Sequence, residues 1–251
     1  MTFYFAYSGN KKDELKEILK NQSVEQFKKI IEPFGGSIAF SRNIFSKYPD
    51  KEYIISDNDK QLIYFCNNFY KNDDEIINEA LKKIDEIKET KEKYNNYIHN
   101  EPTKETKEWI IWYLLYRTYY SLRLGLYPIK RSPPNYTQLK KVKKEINNFF
   151  EKNHYNYDDY KNVINKYKND EDALIFLDPP YINSDNCFYN EPQIDWEFLM
   201  NFFNDCKCKF ILVVNNDFFM KLAFKKWFKY EYSKIYLMSK KEVKHCVFSN
   251  Y

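Results

Sequence analysis

The 251-residue chain carries 40 basic against 36 acidic side chains, a formal net charge of +4, and is 43% hydrophobic and 20% aromatic. That is apolar enough for a packed core and excludes wholesale disorder. No apolar run approaches the roughly 18–20 residues that span a bilayer, no apolar N-terminal stretch ends in a small-residue cleavage site, and five cysteines do not make a disulfide scaffold, so a soluble intracellular globular protein is expected.

In chain order, residues 3–7 form a short apolar run and predict a strand. Residues 12–20 and 24–31 read as helices. The first has Leu15, Ile18 and Leu19 on one face, and the second is opened by Ser23 and Gln26 at capping-box spacing. Residues 53–56 read as a strand ending at Asp57. Apolar positions Ile76, Ile77, Ala80, Leu81, Ile84 and Ile87 predict one amphipathic helix over 74–97. Residues 108–124 hold Trp109, Trp112, Tyr113, Tyr116, Tyr119 and Tyr120 and read as a largely buried helix stopped by Gly125, its aromatic stripe serving as core rather than as a stacking platform. Pro128, Pro133 and Pro134 mark a loop before an amphipathic helix over 138–152. Strand-like runs follow at Ala173–Leu177, 210–214, 235–237 and 246–248. Strand and helix alternate towards both ends and the middle is helical, which predicts an α/β sheet domain interrupted by a helical insertion.

Composition and charge add a second layer. Lysine, asparagine, tyrosine, phenylalanine and isoleucine are overused, as an A+T-rich genome would dictate, while glycine and arginine occur four times each. A glycine or arginine kept under that bias points to a local physical need. Residues 50–108 and 153–197 are acidic, whereas 123–152 holds eight bases against two acids and 221–245 eight lysines against two acids. The basic segments could face an anionic polymer or form an ordinary lysine-rich surface.

The sharpest chemical feature is Asp178-Pro179-Pro180-Tyr181, directly behind the apolar run Ala173–Leu177. Two prolines fix φ and remove two donors, so the strand must end in a stiff turn, at the strand end where open α/β sheets place ligands. The acid can accept a hydrogen bond from an amino group while the ring stacks on a planar heterocycle. Glu32-Pro33-Phe34-Gly35-Gly36 holds two of the four glycines, which permit positive φ and close approach of backbone to a ligand. Tyr7-Ser8-Gly9-Asn10-Lys11 places another glycine beside a cation. Asp57 and Asn58 end a strand about 20 residues after the Gly-Gly loop, the arrangement in which a carboxylate takes ribose hydroxyls. Cys206-x-Cys208 lacks a second cysteine pair, so these read as ordinary thiols and no metal is expected. His99, His154 and His245 have no Ser or Cys partner at a recognisable spacing.

Taken together, these segments resemble the adenine-specific (N6) DNA methyltransferases of the D12 class, found in bacteria, phages and viruses. Tyr7 to Lys11 is similar to the family's opening segment, with Asn10 for a glycine, and Glu32 to Gly36 to its Glu-Pro-Phe-x-Gly loop, which usually has another glycine where this chain reads Ser37-Ile38. Asp57 falls on the ribose-binding acid, Asp178 to Tyr181 on the catalytic tetrapeptide, and Ser249-Asn250-Tyr251 on the usual ending. Tyr116 to Arg123 is similar to a helix of the family's insert without its asparagines and glycine.

The resemblance implies a Rossmann-like methyltransferase sheet flanked by helices, with a catalytic domain of residues 1–70 and 153–251 and a helical target-recognition insertion over 71–152. It implies S-adenosylmethionine as cofactor, held by Tyr7, Gly9, Lys11, Pro33, Phe34, Gly35, Gly36, Asp57, Asn58 and Asp178. Asp178, Pro179, Pro180 and Tyr181 would act on an adenine flipped out of double-stranded DNA. Arg117, Arg123 and Arg131 cluster in the insert, and arginine reads guanine bidentately where lysine does so poorly; Arg117 could equally form a buried ion pair. Lys130, Lys140 and Lys141, with Lys143 and Lys144, would contact phosphates. A relative that has lost catalysis and binds DNA or a partner, or a methyltransferase acting on RNA or a protein amide, would carry many of the same residues.

Overall fold

The computed structural model describes residues 11–69, 71, 74–118, 135–180, 194–236 and 241–251. The chain divides into two compact units, one containing Asp59–Tyr155 and the other Lys11–Asn58 with Asn156–Tyr251. The strand expected over 3–7 lies outside the described residues.

The sheet unit begins with a 3-10 turn (Lys12–Glu14) that runs into a single helical turn, α1 (Leu15–Ile18), whose Leu15 and Ile18 are buried as their spacing suggests. The helix expected over 24–31 is absent. Ser23 Oγ accepts from Glu25 N (3.4 Å), closing a local turn rather than capping a helix, and Lys29–Glu32 is a strand, β1. Its two isoleucines pair on both sides, with β2 (Glu52–Asp57) and with a later strand, and burial of both faces outweighs a weak helical period. Between them lies α2 (Ala39–Phe45).

The helical unit comprises α3 (Lys60–Phe69), α4 (Glu75–Ile87), α5 (Lys91–His99), α6 (Lys107–Thr118) and α7 (Tyr136–Phe150). The single helix expected over 74–97 is two. Thr90, in extended conformation, accepts from Lys93 N through its hydroxyl (3.1 Å) and starts α5 afresh, a cap strong enough to break a continuous pattern. α4 packs on α5, α6 and α7, and α3 on α6 and α7. Trp109, Trp112 and Tyr113 are buried, and Trp109 stacks on Tyr113 with ring centroids 4.9 Å apart, so this part of the aromatic stripe is core; Tyr116 is half-buried, and Tyr119 and Tyr120 lie outside the described residues. Asn135 and Gln138 form a reciprocal capping box that starts α7 two residues before the expected 138. The stop expected at Gly125 lies outside the described residues.

The chain then continues through β3 (Tyr155–Tyr157), α8 (Tyr160–Tyr167), β4 (Ala173–Leu177), α9 (Trp196–Asp205), β5 (Lys209–Asn215), α10 (Phe218–Ala223), β6 (Phe228–Tyr236) and β7 (Lys241–Ser249). The run expected at 246–248 is thus part of a longer strand, as are residues 235 and 236 of the run expected at 235–237, residue 237 lying outside the described residues. The seven-stranded sheet has the order β3-β2-β1-β4-β5-β7-β6. β1 is parallel to β2 and β4, and β4 to β5, whereas β7 is antiparallel to β5 and β6. All five residues of β4 are buried, as a central parallel strand covered on both faces requires. The fold is a Rossmann-like α/β sheet flanked by helices. No helix among the described residues is long and apolar enough to cross a membrane.

Candidate active site

From β1 the sheet grows one way through β2 and the other way through β4. The crevice outside the carboxyl ends of β1 and β4 is therefore the topological switch point, where open α/β sheets bind ligands. β1 empties into Glu32-Pro33-Phe34-Gly35-Gly36, β2 ends at Asp57, and β4 empties into Asp178-Pro179-Pro180.

The Gly-Gly loop is stitched to β2. Gly35 N donates to Ser56 O (2.8 Å) and Gly36 N donates to Asp57 Oδ2 (2.8 Å). Gly36 has φ 45°, which costs a residue without Cβ nothing. In the Ser37-Ile38 pair, where resembling loops carry a further glycine, Ile38 takes φ 49° and ψ 29°. The left-handed region is costly for a β-branched residue. Three things hold Ile38 there: its N–H donates to Gly35 O (2.6 Å), its carbonyl accepts from Arg42 N (3.0 Å), and its side chain is buried. The loop thus keeps a glycine-like backbone without the glycine. Phe34 packs on Tyr160 with ring centroids 4.9 Å apart.

Two acids flank the crevice, and burial raises the pKa of both. Glu32 Oε2 accepts from Ser41 N (3.0 Å) at the start of α2. Burial, helped by the nearby Asp178 charge, pushes its pKa up to about 8 against the Ser41 hydrogen bonds and Arg42, so its carboxyl is mostly protonated at neutral pH. Asp178 faces Lys11, whose Nζ lies 2.9 Å from Oδ1, with side chains only 4% and 18% exposed. Burial shifts the Asp178 pKa upward, Lys11 pulls it down by charge and hydrogen bond, Glu14 adds to the upward push and His245 to the downward pull. Phe40 of α2 stacks on Phe176 at 4.0 Å, fixing the strand just before the turn.

Behind Lys11 lies a second carboxylate. Glu14 accepts from Tyr232 Oη (2.6 Å) and Lys234 Nζ, and lies 2.7 Å from His245 Nδ1. Burial opposes its charge, but His245, Lys11, Lys234 and Tyr232 together bring its pKa down to about 2.

Of the residues expected to form the site, Lys11, Pro33, Phe34, Gly35, Gly36, Asp57, Asn58, Asp178, Pro179 and Pro180 lie in the sheet unit, the loops and Asp178 at the carboxyl edge of the strands. Asp57 is buried and Asn58 exposed. Tyr7, Gly9 and Tyr181 lie outside the described residues, as do Arg123, Lys130 and Arg131. In the helical unit, Arg117 falls on the last turn of α6, Lys140 sits 3.3 Å from Asp74, and Lys141 is exposed on α7. Lys143 corrects an expectation: it is buried, 3.1 Å from Asp74, and turned into the unit rather than towards a phosphate. Glu14, Tyr232, Lys234 and His245 were not expected at the site. The available signal was a histidine abutting the buried run Cys246-Val247-Phe248, opposite a Tyr-x-Lys pattern in a strand. Asn215, at the carboxyl end of β5, was also unexpected; its Oδ1 is buried without a partner among the described residues. Those residues include no group of three or more His, Cys, Asp or Glu side chains that could hold a metal ion.

A parallel sheet with an antiparallel β7 inserted between β5 and β6, and its loops gathered at the β1/β4 switch point, is the scaffold of a Rossmann-like methyltransferase. The particular family follows from the whole chain. The family model for D12 class N6 adenine-specific DNA methyltransferases matches residues 7–245, and the chain belongs to that family. A comparison with curated proteins finds no match.

Proposed function

We propose that this chain transfers a methyl group from S-adenosylmethionine to the N6 amine of an adenine flipped out of double-stranded DNA. The observation that carries this reading is the Lys11–Asp178 pair at the mouth of the crevice that also receives the Gly36–Asp57 loop.

The residues present fit the cofactor. Gly36 offers backbone with no Cβ at a positive φ, and its N–H orients the Asp57 carboxylate, which would take ribose hydroxyls. Tyr7, Gly9, Lys11, Pro33, Phe34, Gly35 and Asn58 would complete the cradle. The cofactor supplies an electrophilic methyl on a sulfonium, which needs no metal. The adenine amine is a poor nucleophile because its lone pair is delocalised into the ring. An ionised carboxylate only accepts hydrogen bonds, so Asp178, with a carbonyl of the Pro179-Pro180 turn, would take the amine hydrogens and favour a pyramidal nitrogen. Lys11 favours the ionised form against burial, and the protonated state of Glu32 spares Asp178 a neighbouring anion. Tyr181 would stack on the base, offsetting part of the few kcal/mol that unstacking costs. Residues 1–70 and 153–251 would form the catalytic domain and 71–152 the target-recognition insertion. There Arg117, Arg123 and Arg131 would read bases, and Lys130, Lys140 and Lys141 would neutralise phosphates.

Tritium transfer from labelled cofactor, offered duplex DNA, RNA and protein in parallel, tests the reading. Label should enter adenine of duplex DNA and vanish in a folded Asp178→Ala variant. Label entering RNA or protein instead, or near-normal turnover by the variant, would overturn it.

A further inference from the structure

The short helix α10 has two apolar faces, and the core takes only one. Met220 and Phe224, four residues apart, are buried, and Phe224 packs edge-on against Phe203 (ring centroids 5.3 Å apart) and Phe248 (6.0 Å). The opposite face holds Phe218, Phe219 and Leu222, which are 73%, 73% and 62% exposed. Single exposed apolar side chains are ordinary. Here three stand together, two of them aromatic rings in edge-on contact at 5.8 Å, and they add nothing to the core. Their presentation is fixed at both ends of the helix. Asp217 caps it, accepting from Phe219 N (2.8 Å) and Met220 N (3.2 Å), and Phe224 anchors its far end.

Place and charge point to an occupant. Leu177 of β4 is level with Leu212 of β5, and β5 runs on to Asn215 before the chain enters α10. The two strands are parallel, so α10 begins beyond the same edge of the sheet that presents Asp178. Immediately behind it, a 3-10 turn (Lys225–Trp227) packs on α10 and exposes Lys225 and Lys226, within the segment 221–245 that holds eight lysines against two acids. Rings beside cations suit duplex DNA. Phosphates attract the cations, and apolar side chains enter between base steps. A second copy of this chain would instead set these lysines against one another.

We infer that Phe218 and Phe219 form an apolar wedge that enters the DNA duplex at the gap left by the flipped adenine, with Leu222 at its base and Lys225 and Lys226 on neighbouring phosphates. The inference rests on duplex DNA being the substrate.

The experiment compares the full wild-type chain with Phe218→Ser/Phe219→Ser and with Lys225→Gln/Lys226→Gln. The probes are two fluorescein-labelled duplexes of identical sequence, one intact and one lacking a single base, which offers a gap without the cost of flipping. The wild type should bind the gapped duplex about fivefold or more tighter than the intact one. The serine variant should lose that preference, bind about tenfold or more weaker, and keep the wild-type salt dependence. The glutamine variant should keep the preference, while its slope of log affinity against log salt falls by about one to two. The urea midpoint of the serine variant should match wild type, because the replaced rings lie outside the core.

Equal wild-type affinity for the two duplexes, or a preference kept by the serine variant, would overturn the inference. So would a lowered urea midpoint, which would mean that the rings pack against this chain itself, or a change in sedimenting mass, which would mean that they join two copies. Binding to anionic phospholipid vesicles that the serine substitutions abolish while duplex affinity stays intact would assign the patch to a membrane surface and overturn it too. Label from the cofactor entering RNA or protein would sink the functional reading, whereas the duplex affinities decide the wedge without any methyl transfer.

Discussion

The two faces of the β6–β7 ribbon each gather cations around one carboxylate, and they differ in solvent rather than in chemistry. On one face Glu231 takes Lys221 (2.5 Å) and Lys244 (3.0 Å), with side chains one third to one half exposed. On the other, reached by stepping one residue along each strand, Glu14 meets Tyr232, His245 and Lys234 almost entirely out of water. Both carboxylates have lowered pKa values. For Glu231 the two lysine hydrogen bonds suffice, whereas Glu14 must first overcome burial and reaches about 2 only with four partners. The difference teaches where a charged network can carry function. A solvated cluster can lose a member and rehydrate, but a buried one transmits the loss to every neighbour.

The strongest way to break that contrast is Glu14→Ala. It removes a buried carboxylate that Tyr232, Lys234 and His245 all contact, so unfolding free energy should drop by about 3–5 kcal/mol in urea titrations. A loss no larger than that of Glu231→Ala would show that water reaches the inner face and that the two clusters are equivalent.

The contrast also marks what could be read from the residues alone. β2, β4 and β5 are legible because central parallel strands are short apolar runs that end at a polar residue, and Asp57 and Asp178 stand out because each is the residue at such an end. β1 is hidden: only Ile30 and Ile31 lie between Lys29 and Glu32, and what makes it a strand is its two neighbours. The break in the predicted helix over 74–97 turns on one threonine hydroxyl. The positive φ at Ile38 has no sequence signal, since the residue type argues against it and only tertiary packing enforces it. Glu14 is the clearest case. Its Tyr232 partner is 218 positions away, and no local pattern reports a hydrogen bond across that distance.

Glu32 sharpens the comparison, being a buried carboxyl near an anion instead of among cations. Its folded pKa, about 8, lies above the ordinary 4.5, so the folded state holds the proton more tightly than the unfolded one. Stability should therefore decline as pH rises from about 4.5 to about 8. Glu14 has the opposite sign: its contribution is complete above about 4.5 and is lost as pH falls towards about 2. Urea midpoints of Glu32→Gln, measured across the neutral range, should lose most of the alkaline decline while keeping the acid one. A slope identical to wild type would mean that Glu32 is ionised in the crevice, and Asp178 would then face a second negative charge.

The smallest effect is expected at Glu231. Replacing it by Gln removes both ion pairs of the outer face but leaves Lys221 and Lys244 partly exposed, where water can replace the lost partner. Attraction between solvated charges is also screened within roughly 8 Å at physiological ionic strength, so any remaining difference from wild type should shrink further as salt is added. Asn216 can still use its amide towards a glutamine side chain at position 231, which limits the change in local geometry. The expected outcome is a urea midpoint barely displaced at low salt and superimposable on wild type at high salt, with methyl transfer unaltered. A large, salt-insensitive loss would mean that the outer cluster is dry. The division between a buried inner face and a solvated outer face would then have to be abandoned.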